Sequence, residues 1–266
     1  MNEKVKNRLN KIGMRATKSL GQNFLNDDSI AEKIVKFAEI SSDEIILEIG
    51  PGLGILTDFI VKKAKKTILV EKDGVIVGYL KGRYSDKNLE IIHGDVLEID
   101  LPNFDKVISN LPFNISSPIT FKLLEKEFKL GILTYQKEYA DRMCAEVGEE
   151  DYSRLSVMVS TYADVERLFT ISKNSFYPPP KVDASVLKLI PSEPNFDLKY
   201  SRAFANVVRE LFNYRRKTIR NGLRNGFDIS VKAEDIPYGM KRVEKLSPEM
   251  IAELTTYLVE NNFISD

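Results

Sequence analysis

Hydrophobic positions in this chain alternate between two spacings. Short apolar runs at 45–47, 67–70, 89–92, 107–109 and 131–135 predict buried strands, and between them apolar residues return every three or four positions, which predicts helices. The helix over 28–40 carries Ile30, Ile34, Val35 and Ala38 on one face, with Asn26, Asp27 or Asp28 available to cap it. Further helices are expected through Ile55, Leu56, Phe59, Ile60 and Val61, and over 75–84, 118–128, 137–147 and 153–162. Such alternation implies a mostly parallel sheet covered on both faces. Strands over 165–171 and 184–190 lack a helix between them and are expected as an antiparallel edge pair. They flank Phe176-Tyr177-Pro178-Pro179-Pro180-Lys181, whose three prolines impose an extended, rigid loop. Pro191-Ser192-Glu193-Pro194 reads as a linker, and beyond it the pattern is helical. The expected architecture is an α/β, Rossmann-like domain over 1–190 followed by a small all-α domain over 191–266.

Composition narrows the chemistry. One cysteine, Cys144, and one histidine, His93, leave no Cys/His metal site and no internal disulfide. Cys144 lies in a helical pattern as a small packing residue, and His93 ends an apolar strand, where a satisfied structural role is expected. No run of about 18 apolar residues is present to span a membrane. The basic N-terminus lacks the apolar core of a secretory signal, Glu3 weighs against a transit peptide, and a cytoplasmic protein is expected.

The net charge is zero, yet the charge is segregated. Residues 1–20 hold six Lys/Arg against one Glu, and residues 202–224 hold seven against one, so these two segments stand at +5 and +6 and the remainder at −11. A local basic face is what phosphate binding requires; two solvated helix faces are the alternative.

The chemistry is carried by two segments. Leu47-Glu48-Ile49-Gly50-Pro51-Gly52-Leu53-Gly54 is a glycine turn leaving a buried strand, where backbone N–H groups can approach a nucleotide-like cofactor. A dinucleotide fingerprint needs a third glycine three residues after the second, but Ile55 or Thr57 stands there. Glu71, ending the next strand, is placed to accept both ribose hydroxyls of an adenosyl group, and Asp95, after the third, to accept the adenine amine. The second segment, Asn110-Leu111-Pro112-Phe113, suits methylation of an exocyclic base amine. The Asn110 side-chain oxygen and the Leu111 carbonyl would accept the two N6–H bonds of an adenine and draw the nitrogen toward tetrahedral geometry. Pro112 would fix the turn, and Phe113 would offer a face for the extruded base.

The chain resembles the KsgA-type ribosomal RNA adenine dimethyltransferases, which use S-adenosylmethionine (SAM). The resemblance is carried by Lys18-Ser19-Leu20-Gly21-Gln22-Asn23-Phe24-Leu25-Asn26, by Glu48-Ile49-Gly50-Pro51-Gly52-Leu53-Gly54, by Glu71-Lys72-Asp73 and Gly94-Asp95, and by Asn110-Leu111-Pro112-Phe113-Asn114-Ile115-Ser116. It extends to Phe176-Tyr177-Pro178-Pro179-Pro180-Lys181-Val182-Asp183 and Arg215-Arg216-Lys217-Thr218-Ile219-Arg220-Asn221. Tyr135-Gln136-Lys137-Glu138-Tyr139-Ala140 looks more like archaeal members than bacterial ones, and Ser153 stands where the family often has glycine.

The resemblance implies a SAM-binding catalytic domain over 1–190 and a helical RNA-binding domain over 191–266. It implies SAM contacts at Asn23, Leu25, Gly50, Gly52, Glu71, Asp95 and Asn110, and catalysis by Asn110, Leu111, Pro112 and Phe113 without metal. Independently, Asn213-Tyr214-Arg215-Arg216-Lys217-Thr218-Ile219-Arg220 reads as a basic helix whose charges, three and four apart, can share one face, so RNA contacts are expected at Arg215, Arg216, Lys217 and Arg220. The substrate the resemblance implies is two adjacent adenosines in the 3′-terminal hairpin of small-subunit rRNA, within a pre-ribosomal small subunit, dimethylated by a monomer. An enzyme acting on large-subunit rRNA and an assembly checkpoint factor with secondary methylation are the alternatives. A DNA adenine methyltransferase would more often carry Asp-Pro-Pro-Tyr at the acceptor motif.

Overall fold

A computed structural model describes residues 3–16, 21–85 and 88–266, with the side chains of Glu3 and Lys4 excepted. Lys18, Ser19 and Leu20 of the first family motif lie outside these residues. The chain divides into two compact units, residues 1–140 with 166–191 and residues 141–165 with 192–266.

The first unit opens with helix α1 (Glu3–Lys11), strand β1 (Phe24–Leu25) and helix α2 (Asp28–Phe37). Asp27 caps α2 by accepting the Ser29 and Ile30 N–H groups, and Asn26 instead accepts the Val5 N–H of α1 at 3.1 Å. There follow β2 (Ile45–Ile49), α3 (Thr57–Ile60), β3 (Lys66–Glu71), α4 (Gly74–Arg83), β4 (Leu89–His93), β5 (Lys106–Asn110), α5 (Ser116–Leu124), β6 (Leu130–Gln136) and α6 (Lys137–Cys144). After α7 (Arg154–Tyr162) come β7 (Ala163–Ile171), β8 (Phe176–Tyr177) and β9 (Ala184–Pro191). Seven strands form one sheet in the order β4-β3-β2-β5-β6-β9-β7, parallel from β4 through β6, with β9 antiparallel to β6. The apolar runs read in the sequence are its buried strands: Ile46, Leu47, Val107, Ile108, Ile132 and Leu133 are fully enclosed.

Three features differ from the expected elements. Residues 53–56 turn before α3 begins, so that helix is a single turn of four residues. Phe176 and Tyr177, expected in an extended, rigid loop, form a short strand that pairs antiparallel with Leu25 and Phe24. Residues 141–165, expected in the sheet domain, cluster with the C-terminal helices.

In the second unit α8 (Ser201–Phe212) packs with α7, α9 (Ile219–Phe227) and α10 (Pro248–Glu260), burying Phe204, Val207, Val208, Leu211, Ile251 and Leu254. Tyr152 donates to the Leu246 carbonyl at 2.8 Å and meets Phe212 edge-on. Ser153, at the N-cap of α7, has φ −148°, extended backbone open to any residue, and its N–H donates to Ser156 Oγ at 2.9 Å. Glycine is not required there.

Candidate active site

At the carboxyl ends of the strands the sheet opens. The β2–β5 ladder stops at Leu47 and Val107, while β2 keeps β3 as far as Ile49 and β5 keeps β6 as far as Asn110. The two central strands therefore diverge, which is the switch point where open α/β sheets bind ligands. Ile49 N–H, having lost its strand partner, donates to Ser109 Oγ at 2.8 Å. The glycine turn enters this gap. Gly50 and Gly52 have φ of +63° and +54°, a region L side chains rarely adopt. Space opposes a side chain as well: a Cβ on Gly52 would stand 2.8 Å from the Phe24 ring, and one on Gly50 a tight 3.1 Å from the Pro112 ring. Each glycine thus lets the turn press against one of the two segments that complete the site.

The resulting cleft contains about 1140 Å³ of atom-free space, its open mouth included. Asn23, Leu25, Gly50, Gly52, Glu71, Asp95, Asn110, Leu111, Pro112 and Phe113 all line it, so every cofactor and acceptor residue expected from the sequence converges on one site. Among the described residues, no group of three or more His, Cys, Asp and Glu is placed to hold a metal ion.

Glu71, only 7% exposed, ends β3 with both oxygens pre-oriented: Oε1 accepts the Asp73 N–H at 2.9 Å and Oε2 the Gly52 N–H at 3.3 Å. Burial raises its pKa above the ordinary carboxylate range, and those two bonds offset part of the rise. Asp95 behaves oppositely. Lys72 Nζ at 2.6 Å and the Leu97 N–H at 2.9 Å hold its carboxyl below the usual range, so it stands as a carboxylate. Beneath the turn lies a third carboxyl. Glu48 is 1% exposed, accepts the Thr57 hydroxyl at 2.7 Å and is pushed up to about 8 by burial, with the Asp58 and Glu71 carboxylates adding to the rise.

On the acceptor side, Asn110 ends β5 and its Nδ2 donates to the Asn23 carbonyl at 3.2 Å. Its Oδ1 is buried with no partner among the described residues. Such an acceptor costs free energy when left empty, on the order of 1–3 kcal/mol, which marks it as awaiting a donor. Pro112 leads into a 3₁₀ turn over Phe113–Ile115, and Ser116 Oγ donates back to the Phe113 carbonyl at 3.1 Å. The Phe113 ring, partly buried, meets Phe176 edge-on at 6.3 Å. Sequence reasoning placed Phe176 in a loop and missed its position beside Phe113, because a two-residue strand carries no periodicity and its partner β1 lies about 150 positions away.

Two expectations about basic residues are corrected in part. In α1, Arg8 is turned inward: it donates to the Leu53 carbonyl at 3.2 Å and lies 3.6 Å from Asp58, lining the cleft. In the helical unit, the expected continuous basic helix through Arg215–Arg220 is broken. Helix α8 ends at Phe212, and α9 begins only at Ile219 because 213–216 form a turn and Thr218 bridges Arg242, with Val243 N–H donating to Lys217 O, Glu244 N–H to Arg215 O and Ile219 N–H to Lys241 O. Arg215 is committed to protein partners, Glu244 at 3.4 Å and the Glu150 carbonyl at 2.8 Å, whereas Arg216, Lys217 and Arg220 are exposed. His93 ends β4 as expected, with an exposed ring, and Cys144 ends α6 partly buried.

The profile of the family described as ribosomal RNA adenine dimethylase matches residues 13–259. A probable ribosomal RNA small subunit methyltransferase A of Thermococcus onnurineus is 43% identical over 99% of this chain and all of its own length, and one of Methanosarcina acetivorans is 42% identical over 96% of this chain and 98% of its own. Among solved structures, a dimethyladenosine transferase from Plasmodium falciparum superposes with a TM-score of 0.78 at 32% identity, covering 90% of this chain and 98% of that one. The 23S rRNA methyltransferase ErmE superposes with a TM-score of 0.68 at 26% identity, covering 89% and 99%.

Proposed function

Because this chain belongs to the ribosomal RNA adenine dimethylase family, we propose that it transfers methyl groups from SAM to N6 of two adjacent adenosines in the 3′-terminal hairpin of small-subunit rRNA. The observation that carries this reading is the empty, buried Oδ1 of Asn110, in the cleft that Glu71 and Asp95 share. An exocyclic amine is the donor that such an acceptor lacks. With the Leu111 carbonyl, Oδ1 accepts the N6–H bonds, localises the nitrogen lone pair and directs it at the activated methyl that SAM supplies. Phe113, steadied by Phe176, stacks the base once it has left the RNA, which is cheapest in a loop.

Glu71 takes the ribose hydroxyls and Asp95 the adenine amine, while Asn23, Leu25, Gly50 and Gly52 wall the cofactor. In the helical unit, Arg216, Lys217 and Arg220 meet phosphates, and Arg215 holds their segment in place. The substrate within this reading is a pre-ribosomal small subunit, met by a monomer in the cytoplasm. The small-subunit names of the archaeal relatives and the higher TM-score of the dimethyladenosine transferase favour it over a large-subunit target.

The test is a methyl-transfer assay with labelled SAM on unmodified small subunits and on large-subunit rRNA, followed by oligonucleotide mapping. Label on adjacent adenosines of the small-subunit hairpin is expected. Label confined to large-subunit rRNA would overturn the reading.

A further inference from the structure

The helix that follows the acceptor loop also reaches the adenine end of the cleft. Lys122, nearly two turns into α5, donates its ammonium to the Leu97 carbonyl at 3.1 Å and to the Ile99 carbonyl at 2.5 Å. Those carbonyls close a single turn that starts at Asp95. The Asp95 carbonyl accepts the Glu98 and Ile99 N–H groups at 2.9 and 3.1 Å, and Asp95 Oδ1 accepts the Leu97 N–H. An isolated turn leaves its last carbonyls without partners, and a cation placed there satisfies them. Lys72 also touches Asp95, but from solvent, with 59% of its side chain exposed; Lys122 is partly buried and holds the turn's main chain.

We infer that Lys122 is a positioning residue that fixes the Asp95 turn and thereby sets a preference for adenine over a 6-oxopurine in the cofactor. This role rests on the proposed function, in which Asp95 accepts the cofactor's amine. A carboxylate accepts an amine N–H and repels a carbonyl oxygen, but it discriminates steeply only if it cannot turn away. The orientation of Asp95 follows Leu97, whose N–H it accepts, and Leu97 is fixed through its own carbonyl by Lys122. Through the Ser116 bond to Phe113 at the other end of α5, the same helix carries the acceptor loop, so one lysine ties cofactor recognition to the base site.

The test compares the affinity of S-adenosylhomocysteine with that of S-inosylhomocysteine, its 6-oxo counterpart, by calorimetric titration. Wild-type protein should favour the adenosyl compound. Lys122→Met should narrow that preference about tenfold, the consequence of losing one charged hydrogen bond's worth of alignment, and Lys122→Arg should restore most of it. If Lys122→Met does not fold, Lys122→Gln reads the same ratio. A lowered melting temperature with the ratio unchanged would mean a merely structural lysine and overturn the inference. Asp95→Asn separates the two layers. If it abolishes the preference while Lys122→Met leaves it intact, the role of Lys122 alone falls; if neither changes it, the assignment of Asp95 falls as well.

Discussion

Asn110 Nδ2 donates to the main-chain carbonyl of Asn23, and that single bond decides which end of the amide faces the cleft. With the nitrogen tied back, Oδ1 is the end left buried and empty. The segment around Asn23 therefore orients, through its backbone, a side chain on another strand.

It follows that Asn110→Asp should be nearly as damaging as deletion. A second oxygen would replace the donor, face the Asn23 carbonyl and turn the group out of position. Turnover should fall by about 10² or more, the usual cost of removing one oriented electrostatic interaction from a transition state. Single-turnover assays at saturating SAM check this, and activity within a few fold of wild type would show that the orientation is unimportant.

Cofactor binding should be coupled to a proton. The free Glu71 carboxyl titrates above the ordinary range because it is buried, and in the proposed reading the ribose hydroxyls of SAM donate to its ionised form. Binding then lowers its pKa and releases a proton, so SAM affinity should climb as pH rises and level off above the pKa of the free enzyme. Calorimetry over about pH 5 to 8, in buffers of different ionisation heat, measures the proton directly. Glu71→Gln should remove the pH dependence and weaken binding.

Glu48 makes the opposite demand on the fold. Its carboxyl is held protonated up to about 8, against 4.5 as the ordinary value, so the folded chain binds a proton that the unfolded chain has released. Its stabilising contribution is complete below 4.5 and is lost as pH rises through about 8, with a slope of up to about 1.4 kcal/mol per pH unit between. Glu48→Gln, neutral at every pH, should flatten the fall of melting temperature across that window. An unaltered slope would assign the pH dependence to other groups.

Much of this was legible in the sequence, and the reasons differ by element. The parallel strands announced themselves because both faces are covered, which makes each an unbroken apolar run. The glycine turn and Asn110-Leu111-Pro112-Phe113 were readable because their chemistry is local. What escaped depends on residues far apart along the chain. The pairing of Phe24-Leu25 with Phe176-Tyr177 is too short for a pattern, and the inward turn of Arg8 toward Leu53 and Asp58 looks, in one dimension, like any basic residue. The break at 213–218 is set by the neighbouring 241–244 segment, so a helical spacing of charges there was misleading.

That break bears on RNA binding. Arg216 and Lys217 stand on an exposed segment held at both ends by backbone bonds, so neutralising both should leave the fold and SAM affinity unchanged. For every phosphate that no longer meets a cation, the slope of log affinity against log salt should shrink by about 0.7 to 0.9. Filter binding across a salt series measures it, and an unaltered slope would mean these charges are solvated bystanders.

Whether Asn110 drives methylation at adenine N6 can be read from the product itself, by nucleoside mass spectrometry. Small subunits lacking the modification are treated with wild-type protein or with Asn110→Ala, each saturated with SAM, then digested to nucleosides. Wild-type protein should yield N6,N6-dimethyladenosine and Asn110→Ala none, although the variant still binds RNA. Dimethyladenosine formed at comparable yield by the variant, or methylation by the wild type at a ring nitrogen or a ribose, would contradict the assignment of Asn110.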